Sequence, residues 1–203
     1  MRTEIDPAAL TALSLAAAVA YGVVIALSWA VVAALRLDRR SFLAPLAFGN
    51  TGNLGLPLAL FAYGDLGLGY AVVVFAVMAI IAFSAGLWMV AGTASPARVL
   101  REPMLIATLL GALFLSQGWQ TPTWLTNALE LIGQLAIPLM LITLGVAVAR
   151  LRPGRIGQAI WLSLVKLAAG IAAGVGAGVW FGLDPVAFGV LVLQLATPVA
   201  VTS

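Results

Sequence analysis

Long apolar stretches dominate the chain, and short polar turns separate them. About 20 consecutive apolar residues cross the hydrocarbon core of a bilayer as an α-helix. Seven segments of the 203-residue chain approach or exceed this length. They are residues 8–35, 41–63, 66–90, 103–116 with an end expected near Trp119, 125–149, 157–182 and 185–203. The pattern predicts an all-α polytopic membrane protein.

Two of these segments carry residues that a lipid-facing helix does not tolerate at mid-membrane. Residues 49–58 read Gly-Asn-Thr-Gly-Asn-Leu-Gly-Leu-Pro-Leu, and residues 194–203 read Gln-Leu-Ala-Thr-Pro-Val-Ala-Val-Thr-Ser. Backbone groups freed at such a break survive only inside protein or beside a solvated cavity, because hydrocarbon offers no hydrogen bonds. Transporters place their substrate and ion sites at such breaks. Both stretches are therefore candidates for a binding site.

The composition supports the membrane assignment and argues against several functions. Apolar residues make up 63% of the chain and charged residues 8%, which leaves too little polar surface for a soluble globule. Cysteine and histidine are absent, so thiolate or imidazole metal sites and nucleophiles with a histidine base are excluded. The acidic residues fall mainly in loops, which argues against proton exchange through paired carboxylates. We predict no enzyme activity, no metal and no cofactor.

The cationic residues sort by side of the membrane. Eight of the ten lie in three alternate loops: Arg36, Arg39, Arg40, Arg98, Arg101, Arg150, Arg152 and Arg155. Cytoplasmic loops are enriched in Lys and Arg, which predicts that these loops are cytoplasmic and that the amino terminus lies outside. Topology thus explains the excess of cations, and we predict no nucleic-acid partner.

This orientation makes the two interrupted segments run in opposite directions, five segments apart. Such a pair is typical of an inverted five-helix repeat. In a ten-helix architecture, the chain would hold seven helices, with two missing before Met1 and one after Ser203. An alternative is therefore a non-transporting fragment or an assembly subunit of a split transporter. A channel is a weaker alternative.

Three motifs occur in order along the chain, at residues 48–58, 136–145 (Ala-Ile-Pro-Leu-Met-Leu-Ile-Thr-Leu-Gly) and 196–200 (Ala-Thr-Pro-Val-Ala). They resemble the auxin efflux carrier family of membrane transporters, which are relatives of the plant PIN exporters. The resemblance covers essentially the whole chain. It implies a fold like that of bile acid symporters and sodium/proton antiporters, in which two broken helices cross.

The resemblance also implies a division into domains. Residues 1–93, with the broken helix 41–63, and residues 156–203, with the truncated broken helix 185–203, would form the transport domain. Residues 103–149 would form the scaffold. The implied function is elevator-type carriage of small organic anions, such as mono- or dicarboxylates or auxin-like acids, by a homodimer in a bacterial cytoplasmic membrane. Coupling to Na⁺ or H⁺ stays open.

Nine residues are candidates for substrate binding. They are Asn50, Thr51, Asn53, Gly55 and Pro57 at the first break, Gln194, Thr197 and Pro198 at the second, and Lys166. Pro57 has glycines and asparagines beside it, which favours a functional break over a simple kink. Asn50 and Asn53 are expected to bind substrate and also to cap the half-helix.

Lys166 is the one cation well inside a predicted segment. It lies about 14 Å from the cytoplasmic end of its helix, at a rise of 1.5 Å per residue. A lysine stem covers only ~6 Å of that depth by snorkelling. Lys166 is therefore expected to stabilise carbonyls at the crossing or to pair with an anionic substrate. Glycines 170, 174, 178 and 182 form a stripe on the same segment, which predicts close helix packing.

Overall fold

The computed structural model describes residues 7–86, 103–117, 119–150, 154 and 156–199, and all regular structure in these ranges is helical. The helices are α1 (Pro7–Ala34), α2 (Arg39–Ala47), α3 (Leu56–Ile81), α4 (Pro103–Gln117), α5 (Thr123–Ala149), α6 (Ile156–Trp180) and α7 (Pro185–Leu195). One π-helical turn, Thr51–Gly55, precedes α3, and another, Ala82–Gly86, follows it. The all-α prediction is confirmed. The end of the predicted segment 66–90 and the loop with Arg98 and Arg101 lie outside the described residues.

Four stretches in the described ranges are long and apolar enough to cross a membrane. They are Pro7–Ala34, Thr51–Gly86, Thr123–Ala149 and Ile156–Trp180. The second has 36 residues, which as one straight helix would measure about 54 Å, well beyond the ~30 Å hydrocarbon core. It bends instead at Gly64, whose φ of 65° is a left-handed value that glycine adopts readily. This kink separates the second and third predicted segments.

The expectation that the fourth segment reaches Trp119 is wrong. Helix α4 ends at Gln117. The Trp119 N–H donates to the carbonyl of Phe114 at 3.0 Å, five residues back, and the Trp119 ring meets the Phe114 ring edge-on with 5.5 Å between centroids. The chain therefore turns back onto the helix end.

The core lies among α1, α3, α6 and α7. Its buried positions are mostly small or β-branched: Ala16, Ala17, Ala20, Val24, Ala59, Ala71, Val74, Ala173, Ala177, Ala187 and Val190. Because lipid tails are as apolar as these side chains, close backbone approach and van der Waals contact supply the packing energy. Small residues allow that approach. Leu13, Tyr21 and Leu191 are the largest fully buried apolar side chains in the core, whereas many others lie on the outside, for example Trp180 at 85% exposure.

Helix α5 stands apart from this core. None of its residues is buried. It nevertheless contacts the π-helical turn Thr51–Gly55 and, more sparsely, α3. Its apolar side chains, such as Leu131 and Ile132, are about two-thirds exposed, each at 66%. Helix α5 is thus a membrane helix that touches the rest of the described structure only shallowly.

The turn between α1 and α2 has a defined geometry. The Leu37 N–H donates to the carbonyl of Val32 at 3.0 Å, which closes α1 with Arg36 in the left-handed region at φ 51°. A non-glycine residue pays about 1 kcal/mol for that conformation. Asp38 then caps α2, since its Oδ2 accepts from the Ser41 N–H at 3.0 Å and from the Ser41 hydroxyl at 2.6 Å.

Candidate functional site

The first interruption lies just after α2. Phe48 is extended, with φ −111° and ψ 134°, and the helix resumes as the π-helical turn Thr51–Gly55. Pro57 lies at the start of α3, directly after the π-helical turn, and the helical path that begins at Thr51 runs through it. The non-helical residues 48–50 thus lie at the upstream end of the predicted stretch 49–58, and Pro57 does not break the helix.

The second interruption follows α7. Leu195 is the last helical residue, and Thr197 and Pro198 are not helical. The Thr197 hydroxyl donates to the carbonyl of Gln194 at 2.7 Å and so satisfies one of the free carbonyls at the helix end. Pro198 cannot continue the helix, because it has no N–H. Residues 200–203 of the predicted segment lie outside the described residues.

The two interruptions meet. Gly49 and Val199 form an isolated antiparallel bridge, and the Asn50 N–H donates to the carbonyl of Pro198 at 2.8 Å. A side chain at position 49 would collide with the Thr197 hydroxyl and would lie 3.0 Å from the Thr197 carbonyl oxygen. Glycine is therefore required at this crossing. The first interruption and the end of α7 therefore meet within the fold, as expected for the upstream part of the second segment.

Buried polar side chains cluster at this crossing. The buried ones are Asn50, Thr51, Lys166, Gln194 and Thr197, with Ser28 further along α1. Lys166, the only lysine of the chain, is 4% exposed. Its Nζ lies 3.4 Å from the position that a Cβ of Gly49 would occupy. No ion pair involves Lys166 within the described ranges, so its charge is available at the crossing.

Gln194 and Thr51 supply oxygen acceptors on either side of the crossing. The Gln194 Nε2 donates to the carbonyl of Ala71 at 3.5 Å, a long hydrogen bond. Its Oε1 and the Thr51 Oγ1 are buried and have no hydrogen-bond partner among the residues that the structure describes. An unpaired buried polar atom costs about 1–3 kcal/mol. Each such atom needs an explanation, and a bound ligand or ion that it contacts is one.

Gly55 lets the two broken helices approach at this point. A Cβ at Gly55 would collide with the Gln194 carboxamide. Asn53, by contrast, is exposed on the π-helical turn and lies outside the buried cluster. Asn50 stands at the N-cap of that turn, but its carboxamide makes no capping hydrogen bond in the described structure. The expected side-chain cap at Asn50 is therefore wrong. The Asn50 carbonyl accepts instead from the Gly55 N–H at 3.1 Å.

Tyr21 belongs to the same region but was not among the sequence candidates. It is 1% exposed, and its hydroxyl has no partner within the described part of the chain. Its ring stacks on Phe48, which precedes the bridge, with 6.5 Å between centroids. The sequence signal that could have identified Tyr21 is a phenol group in the middle of the apolar helix α1.

The glycine stripe brings α6 close to α7 and so positions Lys166 beside the crossing. A Cβ at Gly170 would collide with the Leu195 carbonyl, and Gly174 and Gly178 similarly pack against α7 residues. The predicted packing role is confirmed for these three glycines. Gly182 differs, because it has φ +60° and no neighbour within 4 Å in the described structure. It serves the turn between α6 and α7.

A groove opens beside the crossing, between the first half of α3 and α7. Its volume is about 550 Å³. The lining includes Leu54, Leu58, Tyr63, Phe188, Val192, Leu193, Thr197 and Pro198. An apolar groove that ends on a few polar groups is typical of a small-molecule site.

Apolar spanning helices and a buried polar site at two crossed interruptions define a multi-pass membrane protein of the transporter type. The family described as membrane transport protein matches residues 92–203, more than half of the chain. The chain therefore belongs to this family of membrane transporters, in agreement with the resemblance to the auxin efflux carriers. Neither the comparison with curated proteins nor that with solved structures gave a match.

The matched region contains one half of the site. Lys166, Gln194, Thr197 and Pro198 fall inside residues 92–203, and the first interruption precedes them. The structure joins the two halves at the Gly49–Val199 bridge. As a membrane transporter, the chain acts on a transported substrate within the lipid bilayer.

Proposed function

We propose that this transporter carries small organic anions, such as mono- or dicarboxylates or auxin-like acids, by alternating access. In this proposal the substrate binds at the crossing of the two interrupted helices. The chain acts as a carrier and not as an enzyme.

One observation carries the proposal: a buried lysine without a counter-ion in the described ranges stands beside the crossing. An ionisable group inside a membrane protein is costly and marks a functional pathway by default. A carboxylate that binds there would replace the water that the ammonium has lost. A cationic substrate would meet repulsion instead. Lys166 is therefore the electrostatic determinant of anion binding.

Backbone groups also favour a negatively charged substrate. The half-helix that begins at Thr51 starts two residues after the Gly49–Val199 bridge, and the first four N–H groups of a helix lack intrahelical partners. The helix dipole adds partial positive charge at that end. A carboxylate is the ligand that such an end prefers. The hydroxyl of Thr51 and the carboxamides of Asn50 and Gln194 would orient the substrate.

The packing is compatible with an elevator-type motion. We assign α1, α2, α3, α6 and α7 to the transport domain, within residues 1–93 and 156–203, and α4 and α5 to the scaffold, within residues 103–149. Shallow contact between α5 and the π-helical turn supports this division, because such an interface opposes sliding only weakly. The exposed apolar side chains of α5 would form part of the homodimer contact.

Further features of the proposal follow from topology. The amino terminus would face outward, and the protein would reside in the bacterial cytoplasmic membrane. The buried oxygen acceptors of Thr51 and Gln194 would suit Na⁺ as a coupling cation, and coupling to H⁺ would need another group. Comparison of uptake with and without a gradient of each ion tests the coupling.

The decisive experiment measures uptake of labelled carboxylates into vesicles that contain the reconstituted chain. Lys166→Met removes the charge and keeps an apolar stem of similar length. We expect this variant to insert and fold but to bind anions at least about tenfold more weakly, as expected for loss of a charge-assisted hydrogen bond of 1.5–3 kcal/mol.

Leu167→Met is the matched control, because Leu167 is the next residue of α6 and is 40% exposed. Full activity of a stably folded Lys166→Met variant would refute the assignment of Lys166. If the wild-type chain inserts but transports none of the carboxylates, the result favours a non-transporting assembly subunit.

Asn50→Ala and Pro57→Ala test the first interruption. We expect each to abolish or strongly reduce uptake without loss of membrane insertion, because both residues flank the π-helical turn. Unchanged uptake in both variants would remove this half of the site from the proposal.

A further inference from the structure

The turn between α1 and α2 holds a cluster of three exposed arginines, which we call the arginine turn: Arg36, Arg39 and Arg40. The membrane topology explains why these charges lie on one side of the bilayer. It does not explain how they are arranged. Three observations about the arrangement point to a ligand.

First, the turn is preorganised. Arg36 occupies a left-handed position that glycine normally fills, and it keeps a long cationic side chain there in spite of the backbone strain. Leu37 packs against the buried Val32 and Leu43, which fixes the turn to the helices on either side. Strain that persists at a well-anchored residue is a reason to suspect a function.

Second, the charges of the arginine turn form no ion pairs with acidic side chains in the described part of the chain. Asp38 is the one acid within the turn, and its Oδ2 already accepts two hydrogen bonds from Ser41. Arg40 interacts with Asp38 through its backbone N–H and as a nearby charge, and its guanidinium forms no ion pair with Asp38 in the described structure. Within the described ranges no salt bridge engages any of the three arginines. Their guanidinium donors are thus free to bind an anion.

Third, an aromatic residue and an apolar stripe continue the arginine turn along α1. The Arg39 guanidinium lies 4.6 Å from the centre of the Trp29 ring, which orients the cation at the level where interfacial tryptophans lie. The exposed surface of α1 beyond Trp29 is apolar: Leu27, Val23 and Val19 follow each other at four-residue spacing on one side of it, and Trp29 lies on the other side. The apolar face that Leu27, Val23 and Val19 share leads into a groove of about 310 Å³ between α1 and α6.

We propose that the arginine turn binds the phosphate headgroup of an anionic phospholipid, whose acyl chain lies along the apolar face of α1. Arginine donors match phosphate oxygens in a forked geometry. Basic clusters at helix ends on the cytoplasmic side bind acidic headgroups in this way. The adjoining apolar stripe favours a phospholipid over a free phosphate ion.

The test titrates the full-length chain, purified in a neutral detergent, with phosphatidylglycerol and follows the midpoint of thermal unfolding. We expect a saturable rise of the midpoint. Phosphatidylcholine with the same acyl chains, and inorganic phosphate, should give little or none. In the Arg36→Gln/Arg39→Gln variant the apparent Kd for phosphatidylglycerol should increase roughly 25-fold, at about fivefold for each arginine near a membrane surface.

Arg150→Gln is the matched control, because Arg150 is also an exposed arginine at a helix end. It should leave the apparent Kd unchanged. If the double variant fails to fold, Arg40→Gln alone should still weaken binding about fivefold. Equal binding of phosphatidylcholine, an equal effect of inorganic phosphate, or an equal loss in the Arg150 variant would each overturn the proposal.

Discussion

The variant Gly170→Ala, which adds a single methyl group, tests whether close packing of α6 against α7 holds the site together. Gly170 lies on α6 one turn after Lys166 and faces the end of α7. An alanine Cβ there would collide with the carbonyl oxygen of Leu195, would lie 2.8 Å from its carbonyl carbon, and would lie 3.4 Å from the Ala196 nitrogen. All three are backbone atoms, so no side-chain rotation relieves the clash. The two helices must separate.

The cost follows from two opposing terms. Overpacking of a well-packed contact costs about 1–3 kcal/mol. Alanine gains about 1 kcal/mol over glycine in a helix interior. Gly176 on the same helix has no atom within 4 Å of its Cβ position among the described residues, so Gly176→Ala should show the gain alone. The two variants should therefore differ in stability by about 2 kcal/mol.

The assay is thermal unfolding in detergent, followed by tryptophan fluorescence, together with carboxylate uptake. A difference of about 2 kcal/mol corresponds to roughly 4–8 °C in the midpoint for a chain of this size. Gly170→Ala should melt lower by that amount and should lose uptake, because the separation of α6 from α7 moves Lys166 away from the crossing. Equal midpoints and equal uptake in the two variants would refute the packing argument.

Three further variants probe other parts of the fold. Asp184→Ala removes the carboxylate that caps α7 and should lower the free energy of unfolding by about 1 kcal/mol in thermal unfolding. Asp65 is exposed, and the control variant Asp65→Ala should leave the free energy of unfolding unchanged. The hydrogen bond from the Ser41 hydroxyl, more than any other contact, holds the pKa of Asp38 below its ordinary value of 3.8. The ionised Asp38 carboxylate should therefore stabilise α2 above pH 3.8, and this stabilisation should fade as the pH falls through the depressed folded-state pKa. Amide exchange of α2, measured against pH in the wild type and in Asp38→Asn, would detect this loss. Gly64→Ala forces a side chain into a left-handed kink and should destabilise the chain by about 1–2 kcal/mol in the same unfolding assay.

Much of the architecture could be predicted because membrane helices leave strong local signals. Apolar runs gave the helices, and the clusters of Gly, Asn and Pro gave the two interruptions. Lys166 stood out because a charge within hydrocarbon needs a reason. These signals arise from the chain's need to satisfy its own backbone in lipid, so they are visible in a single sequence.

Other features depend on tertiary contacts and could not be predicted. The break falls at residues 48–50 and not at Pro57, because the helical path begins at Thr51 and continues through Pro57 into α3. Gly55 matters through its contact with Gln194, a residue far away in the chain. Tyr21 joins the site through its stacking on Phe48. No local pattern reports such contacts between distant segments.

The bridge between Gly49 and Val199 has a consequence for biosynthesis. Its two residues are separated by 150 positions, so the loop between them can close only after α7 has been synthesised. The Asn50 N–H therefore cannot reach its acceptor, the Pro198 carbonyl, until late in translation. Chaperone or insertase contacts with residues 48–50 should therefore persist late into synthesis.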